Sequence, residues 1–324
     1  MDIDAVILWV DGDDPVWKEK CDKARNGNQL TRRNDIGGEL RFRQMREIDW
    51  CVASINKFAP FIRKIFIVTD GQDPHLENTV GKWFKNPIPV EIVDHKVIFR
   101  GYEKYLPLFQ CRAIELMVPR IPGLAEHFVY FNDDFLLTNN VRPEDWFTPD
   151  GKVVDYGGWM PNVLLDILHF LKPKKNGLKA VGYKDTMMNS AKLLGFNRTF
   201  IMRHNPHAQL KSAGLRLLSE YPEVVEINCK DKFRTASQFN PQEARQLLAF
   251  SEGKLLIRPA SGKVLFLKPF ADRPRYLRNH LKPYMNGRPL PLFTCINSIA
   301  MADPDDREFF VSLMKRLFED AAPR

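Results

Sequence analysis

Two adjacent carboxylates follow an apolar run near the middle of the sequence. The run covers residues 128–131, and the triplet after it is Asn132-Asp133-Asp134. A short apolar run is typical of a buried strand, so the triplet is predicted to lie at the end of a strand. Carboxylate oxygens are ligands that Mg²⁺ prefers, and a short acidic motif leaves coordination positions for water and phosphate. Acidic dipeptides are common, so the triplet alone is weak evidence for a metal site.

The pattern Asp-Gly-x-Asp-Pro occurs twice, and each copy also follows an apolar run. The copies are residues 11–15 and 70–74. Either copy alone is ordinary turn chemistry, because Asp-Gly and Asp-Pro favour turns. With the triplet at 132–134, however, three acidic turns are predicted at one edge of a sheet. Clustered carboxylates repel one another unless a cation or protons neutralise them, so the cluster favours a cation site.

Four further residues could supply acid–base chemistry or bind an anion. Glu115 lies 19 residues before Asp134 on a predicted helix, either as a surface glutamate or as a base. His204 and His207 are two of only seven histidines, and a predicted helix starts there. A neutral imidazole can accept or donate a proton or act as a nucleophile, but it can also simply face solvent. Arg234 would clamp a phosphate with two hydrogen bonds, or lie on a solvated basic face.

The first half of the chain predicts the elements that position these residues. Apolar runs predict strands at 5–10, 65–68, 90–93 and 128–131. Helical spacing of apolar residues between them predicts one helix from Met45 to near Pro60 and another around 111–118. Alternating strands and helices indicate an α/β fold with a mostly parallel, Rossmann-like sheet. Sheets of this kind bind ligands at the carboxyl ends of their strands, which is where the acidic turns lie.

The second half is predicted to be mainly helical. Helices are expected at 162–171, 206–221, 241–250 and 303–318, with short strands at 255–257 and 264–267. No low-complexity linker separates the halves. We therefore predict one continuous catalytic unit over residues 1–324, in which a helical part, 151–324, packs against the α/β part, 1–150, and completes the site.

Composition excludes several classes of protein. The chain has 324 residues, of which 44% are hydrophobic and 27% charged, so global disorder is ruled out. Its net charge of +8 suits an anionic substrate, an anionic polymer or the inner membrane surface, and no signature of nucleic-acid binding occurs. Five scattered cysteines and an acidic amino terminus predict a reduced, cytoplasmic protein without a secretory signal. The absence of Walker, GxGxxG, GxSxG and HExxH motifs disfavours P-loop, dehydrogenase, serine-hydrolase and zincin functions.

Taken in order, the motifs resemble the four conserved blocks of the Stealth family of sugar-1-phosphate transferases. That family includes bacterial capsular polysaccharide phosphotransferases and the α/β subunit of the lysosomal-enzyme N-acetylglucosamine-1-phosphotransferase. The blocks correspond here to residues 3–15, residues 38–134, His204-Asn205-Pro206-His207 with Arg234, and residues 293–297. Ser298 follows Asn297 where the family's last block usually ends in Asn-Asp, which leaves the role of Asn297 open.

The resemblance implies a GT-A-like fold and a specific reaction. A hexose-1-phosphate unit, such as an N-acetylhexosamine-1-phosphate, would move from a UDP-sugar to a hydroxyl of an oligosaccharide, polysaccharide or glycolipid acceptor. UMP would leave and a phosphodiester would form, most simply in the synthesis of a capsule or another surface polysaccharide. The protein would then be cytoplasmic, with peripheral contact at the inner membrane surface as a further expectation.

The resemblance also implies roles for individual residues. Catalysis would depend on Glu115, Asp134, His204 and Arg234. Mg²⁺ or Mn²⁺ would be held by Asp133 and Asp134. Trp9, Asp11 and Gly12 would line the uridine pocket, and Arg41 and Asp70 would help to bind the donor. The proton acceptor is His204 or Glu115, and His204 is favoured because its ordinary pKa of ~6.5 is nearer neutrality.

Two other functions fit the same residues. A conventional metal-dependent GT-A glycosyltransferase would use the same acidic strand end but would attack the sugar carbon and release UDP. A non-catalytic basic module would bind an anionic polysaccharide. That module would tolerate Asp134→Asn, and reversing the charge of Arg32 and Arg33 would abolish its binding.

Overall fold

A five-stranded sheet in the order β10-β4-β1-β2-β3 forms the centre of the fold. The computed structural model describes residues 1–26, 45–171, 174–175, 178–179 and 182–319. The strands of this sheet are β1 (Ile3–Leu8), β2 (Ile65–Thr69), β3 (Val90–Asp94), β4 (His127–Asn132) and β10 (His207–Leu210). β1 runs parallel to β2 and β4, and β2 runs parallel to β3. The four strands predicted from apolar runs and the mostly parallel α/β fold are therefore confirmed.

The first half contains five helices. They are α1 (Pro15–Asn26), α2 (Glu47–Phe58), α3 (Val80–Trp83), α4 (His95–Ile98) and α5 (Cys111–Met117). α2 and α5 confirm the two predicted helices, whereas the other three were not predicted. Single 3-10 turns lie at Leu76–Asn78, Glu103–Tyr105 and Val118–Arg120. β2 is buried along its whole length, which is why its sequence is a continuous apolar run rather than an alternating one.

The second half adds two three-stranded sheets. One has the order β11-β6-β9 and consists of β6 (Val153–Pro161), β9 (Arg198–Met202) and β11 (Leu255–Arg258). The other has the order β12-β13-β5 and consists of β5 (Phe135–Leu137), β12 (Val264–Leu267) and β13 (Phe293–Ile296). A further strand pair joins β7 (Lys174–Lys175) to β8 (Leu178–Lys179).

Helices account for most of the remaining second half. They are α6 (Asn162–Leu171), α7 (Tyr183–Leu193), α8 (Lys211–Glu220), α9 (Glu223–Cys229), α10 (Pro241–Ser251), α11 (Tyr276–Met285) and α12 (Pro304–Met314), which continues as a π-helical turn over Lys315–Glu319. Short 3-10 turns lie at Pro143–Asp145 and Ile299–Met301. In the described part of the chain no helix has the length and apolar character needed to cross a membrane.

The two halves share one hydrophobic core. The main cluster of buried side chains extends from Ile3 to Phe318. β10 of the second half joins the central sheet, and β5 of the first half pairs with β13. The second half therefore contributes strands to the same core as the first.

The predicted helix over residues 206–221 is wrong in its first turn. Residues 207–210 form β10, which pairs antiparallel with β4, and the helix α8 starts only at Lys211. All four residues of β10 are buried, so main-chain pairing with β4 outweighs their local helical preference. His204 therefore precedes a strand rather than a helix.

Candidate active site

The sheet brings the sequence-predicted residues to one edge. Parallel strands β1, β2 and β4 end at this edge, so the turns after Leu8, Thr69 and Asn132 all lie there. β10 is antiparallel to β4, and its first residue, His207, pairs with Tyr130 near the end of β4. The segment that carries His204 therefore enters at the same edge as Asp133 and Asp134.

Asp133 and Asp134 lie in a cluster of buried carboxylates. Burial raises the pKa of Asp133 well above its usual range, and the charges of Asp134 and Glu47 raise it further. Burial also raises the pKa of Asp134. Within the described ranges, none of these three carboxylates forms an ion pair, and Oδ1 of Asp134 has no hydrogen-bond partner. Three neighbouring carboxylates without an ion-pair partner favour a cation near them, because a cation offsets their mutual repulsion. Within the described ranges, the ligand atoms of a different group, the exposed Asp73, His75 and Glu77 after β2, all lie within 4.8 Å of one another.

The end of β13 orients Asp134. Asn297 donates a hydrogen bond from Nδ2 to Oδ2 of Asp134 at 2.9 Å, and the Cys295 thiol lies 3.6 Å from the same oxygen. The main-chain N–H of Ile296 donates to the carbonyl oxygen of Asp134 at 3.2 Å. These contacts leave Oδ1 of Asp134 unpartnered and give Asn297, whose role the sequence left open, a positioning contact.

Glu47 is a site residue that the sequence analysis missed. It is the first residue of α2, whose residues 47–56 are all buried. Arg46 precedes it in the left-handed conformation, with φ of 62°, and Oε2 of Glu47 accepts a hydrogen bond from the N–H of Met45 at 2.6 Å. Burial raises the pKa of Glu47, and the charge of Asp134 adds to the effect. A glutamate in the first helical turn is so common that its position alone gave no signal.

Glu115 is connected to the acidic strand end through Tyr130. Glu115 is 4% exposed, and its Oε1 lies 3.0 Å from the Tyr130 hydroxyl. The same hydroxyl lies 2.8 Å from Oδ1 of Asn132, the residue before Asp133. Glu115 therefore lies on the predicted helix, and its side chain points toward the end of β4 and is not on the surface.

Two guanidinium groups meet beside Glu115. Arg234 lies 2.7 Å from the sulfur of Cys111, on the same helix as Glu115. Burial lowers the pKa of its neighbour Arg112 to about 10, and the charge of Arg234 acts in the same direction. Neither arginine forms an ion pair within the described residues. Two like charges held together in this way favour an anion between them.

Arg112 and Arg245 were also missed by the sequence analysis. Arg112 donates to the carbonyl oxygen of Thr235 at 3.1 Å, so the backbone after Arg234 holds its side chain. Arg245 is fully buried and donates to the carbonyl oxygen of Glu115 at 2.9 Å. Sequence spacing carries no signal for either residue, because α5, α10 and the 230–235 segment meet only in the folded chain.

His204 is held by two aromatic rings. Its ring centroid lies 4.8 Å from that of Tyr183 and 4.4 Å from that of Phe266. Burial lowers the pKa of His204 to about 4, and the nearby His207, Lys268 and Arg203 act in the same direction. The imidazole is therefore neutral at neutral pH and can accept a proton.

His207, the other histidine of the motif, has a structural position. It is 1% exposed, and its Nδ1 lies 3.1 Å from a carboxylate oxygen of Asp155, which is equally buried. Gln246 donates to the same oxygen of Asp155 at 2.9 Å. These contacts fix the start of β10 and hence the turn that carries His204.

The turns after β1 and β2 are bonded to each other. The side-chain amide of Gln72 accepts from the N–H of Asp11 at 3.0 Å and donates to its carbonyl oxygen at 2.9 Å. Trp9 is 6% exposed. Asp70 forms an ion pair with Lys20 of α1 at 3.1 Å and lies on the far side of β1 from Asp133. Asp70 therefore has a structural partner of its own.

The remaining sequence-predicted residues either lie in the turn after β1 or fall outside the structure. Gly12 follows Asp11 in that turn and is half-buried. Arg41 and the Arg32-Arg33 segment lie outside the described residues.

Comparison with known proteins identifies relatives of the chain. Residues 1–29 match the family model of Stealth protein conserved region 1, and residues 41–155 match that of conserved region 2. A receptor polysaccharide phosphotransferase, WefC of Streptococcus gordonii, is 34% identical over 74% of this chain and 75% of its own length. The capsular polysaccharide phosphotransferase WcwK of Streptococcus pneumoniae is 32% identical over the same shares. The exopolysaccharide phosphotransferase SCO6021 of Streptomyces coelicolor is 30% identical over 99% of this chain, which spans only 56% of that relative's length.

Solved structures show more distant similarity. The galactosyltransferase LgtC, in complex with donor and acceptor sugar analogues, has a TM-score of 0.48 and 11% identity, with 100% of this chain and 97% of that chain covered. The bifunctional glycosyltransferase WbbM has a TM-score of 0.49 and 10% identity, with 96% of this chain and 51% of that chain covered. Similarity at this level carries no conclusion about chemistry.

Proposed function

Because this chain belongs to the Stealth family, we propose that it transfers a hexose-1-phosphate, such as an N-acetylhexosamine-1-phosphate, from a UDP-sugar to an acceptor sugar hydroxyl. The relatives at 30% identity or more are polysaccharide phosphotransferases by name. The acceptor is an oligosaccharide, a polysaccharide or a glycolipid, and the products are a phosphodiester and UMP. This activity places the protein in the synthesis of a capsule or another surface polysaccharide, on the cytoplasmic side of the membrane.

One observation carries this proposal. Among the described residues, neighbouring carboxylates without an ion-pair partner and two guanidiniums without an ion-pair partner occur at the same edge of the sheet. The hydroxyl of Tyr130 links the two groups, because it contacts both Glu115 and Asn132. A diphosphate with a bound divalent cation has the complementary charges, since its phosphates suit the guanidiniums and its cation suits the carboxylates.

The donor set fits Mg²⁺ or Mn²⁺. Asp133, Asp134 and Glu47 would hold the ion, and Oδ1 of Asp134 is a buried oxygen in need of a partner. Both cations prefer oxygen ligands, and three carboxylates leave coordination positions for phosphate oxygens. When bound, such an ion neutralises charge on the diphosphate.

Side chains of this chain supply the remaining steps. Arg234 and Arg112 bind phosphate oxygens and stabilise the charge that develops on the transferred phosphoryl group. The acceptor hydroxyl oxygen attacks the β-phosphorus, and neutral His204 takes the hydroxyl proton. A bond forms between that oxygen and the β-phosphorus, while the bond from the β-phosphorus to the bridging oxygen breaks. UMP leaves with the bridging oxygen. The carboxylate of Glu115 positions the Tyr130 hydroxyl, and Arg245 fixes the main-chain carbonyl of Glu115.

The turn after β1 would bind the nucleotide. Trp9, Asp11 and Gly12 lie at the carboxyl end of the central strand, between β2 and β4. Gln72 fixes the main chain of Asp11, so this turn presents a rigid surface to the uridine. The ion pair between Asp70 and Lys20 joins the turn after β2 to α1 beside this turn. Arg41 remains a residue that we predict to contact the donor.

Product analysis is the most direct test of the reaction. Purified protein with Mg²⁺, an acceptor glycan and a panel of UDP-sugars is expected to release UMP, because the β-phosphorus is the atom attacked. Chromatography of the released nucleotide distinguishes UMP from UDP. Release of UDP would contradict this proposal and support the glycosyltransferase alternative. Bound glycan without any nucleotide release would support a non-catalytic module.

Glu47→Gln tests the third carboxylate of the proposed cation site. The amide keeps the shape of Glu47 and an oxygen for the N–H of Met45, but it removes one negative charge. We expect the concentration of Mg²⁺ or Mn²⁺ that gives half-maximal activity to rise about 10- to 100-fold. Titration of the cation at saturating donor measures this shift.

A matched substitution controls for loss of surface charge. Glu223→Gln removes an exposed carboxylate from the first turn of α9, outside the cluster, and should leave the cation titration unchanged. An unchanged titration in Glu47→Gln would show that Glu47 only caps the start of α2.

A further inference from the structure

Helix α6 has an unusual surface. Its solvent-facing side chains are large and apolar, and they include six of the fifteen exposed large hydrophobic side chains in the described part of the chain. Val163 is 70% exposed, Phe170 is 75% exposed and Leu171 is 68% exposed. The other three members of this apolar face are Leu164, Ile167 and Leu168. A contiguous exposed apolar patch of this kind marks an interaction site, because water-facing helix surfaces are normally polar.

The apolar face is continuous around the helix. At ~100° per residue its six members fall within about 160° of arc. Leu165 and Asn162 point into the protein and are buried. Asp166 borders the face, is 51% exposed and pairs with Lys192 of α7, whereas His169 lies on the opposite, inward side and pairs with Asp185 of α7. These two ion pairs anchor the inward side of the helix, and the apolar face lies on the outward side.

The sequence that continues from this face is strongly basic. Residues 167–184 contain five lysines and no acidic residue, namely Lys172, Lys174, Lys175, Lys179 and Lys184. An apolar helix face followed by a polybasic segment combines the two attractions that bind a protein to an anionic membrane surface. Either attraction alone gives only marginal binding, whereas the two together give stable attachment.

We propose that the apolar face of α6 docks on an anionic lipid bilayer, and that the positive charge of the lysines that follow it in the sequence adds to the attraction. A second copy of this chain carries the same net charge of +8, which favours an anionic surface over self-association as the occupant. The helix lies parallel to the membrane plane, since ten residues span ~15 Å and cannot cross a bilayer.

The position of α6 gives this surface a consequence for the site. His169 of α6 lies 2.9 Å from Asp185 of α7, and α7 begins at Tyr183, whose ring packs against His204. Docking would therefore place α7 and His204 on the side of α6 that faces away from the lipid. The glycan of a membrane-bound acceptor would extend past α6 to reach that edge. This consequence rests on the proposed function, whereas the docking itself does not.

Vesicle co-sedimentation of the full chain, without any substrate, tests the docking. The wild type is expected to bind vesicles with about 30% phosphatidylglycerol at least about tenfold more tightly than pure phosphatidylcholine vesicles, and binding should weaken with salt. Ile167→Ser/Leu171→Ser should bind about tenfold more weakly, because the apolar contact is reduced. Lys174→Glu/Lys175→Glu should lose the preference for the anionic lipid.

A matched control and a second measurement complete the test. Leu215→Ser removes a similarly exposed leucine from α8 and should bind like the wild type. Unchanged thermal unfolding in the Ile167→Ser/Leu171→Ser variant shows that the loss is not a folding defect. Absent vesicle binding by the wild type, or equal binding by that variant, would overturn the proposal. A wild-type dimer that this variant converts to monomer, without vesicle binding, would identify self-association instead.

Discussion

Asp134→Asn is expected to lower kcat about 10³-fold while thermal stability stays unchanged or rises. The substitution removes the charge of the buried strand-end carboxylate but keeps an oxygen that can accept from Nδ2 of Asn297. Burial already disfavours the ionised form of Asp134 in the folded protein, so the charge serves ligand binding at the expense of stability. Steady-state rates with a UDP-sugar donor and calorimetric unfolding measure the two effects on the same preparation.

The pH dependence of stability should change in the same variant. The pKa of Asp134 is raised on folding, so the folded state binds the proton more tightly than the unfolded state. The free energy of unfolding therefore falls as pH rises from the ordinary value near 4 through the raised pKa. Asp134→Asn should weaken this dependence. Mg²⁺ should raise the unfolding temperature of the wild type more at high pH, where protons do not compete, and much less in the variant.

An exposed aspartate provides the control for this experiment. Asp305→Asn changes an exposed aspartate in the first turn of α12, outside the cluster, and should change neither kcat nor the effect of Mg²⁺. Asp134→Asn with full activity would contradict the cation site. Loss of activity together with a large loss of stability would instead assign Asp134 a structural role.

His204→Phe is expected to lower kcat about 10²- to 10⁴-fold with little change in KM for the donor. Phenylalanine keeps a flat ring between Tyr183 and Phe266 but has no nitrogen to accept a proton. The fold should therefore be retained, which circular dichroism and thermal unfolding would confirm. Added imidazole should partly restore the activity of the smaller variant His204→Gly, because the small base can enter the space left by the ring.

The pH profile separates His204 from Glu115 as the proton acceptor. With a pKa of about 4, His204 produces no loss of kcat/KM between about pH 5.5 and 7 in the wild type. Its depressed pKa also means that the free energy of unfolding falls as pH drops from ~6.5 to about 4, and His204→Phe removes that component. If His204→Phe stayed active while Glu115→Gln lost activity, Glu115 would be the base. His75→Phe changes an exposed histidine and serves as the control.

The sequence determined the four parallel strands of the central sheet and the edge at which their acidic turns lie. The apolar runs that precede Asp11, Asp70 and Asp133 could be assigned as strands because a buried parallel strand is apolar on both faces. Since parallel strands all end at one edge, the positions of the acidic turns followed from the strand assignment alone. The order of the motifs also sufficed to identify the Stealth resemblance, including Glu115, His204 and Arg234.

The tertiary structure decided which of these residues meet and what holds them. Asn297 bonds Asp134 across 163 residues of sequence, and Glu47 reaches the same cluster from the start of another helix. Local patterns encode neither contact, because distant segments meet only when the core that joins the two halves has formed. The same reason explains the first turn of the predicted helix at 206–221, where pairing with β4 overrode local preference and placed His204 between aromatic rings. Residues 162–171 are mostly apolar in the sequence, but only the folded chain shows that the apolar side of this helix faces outward.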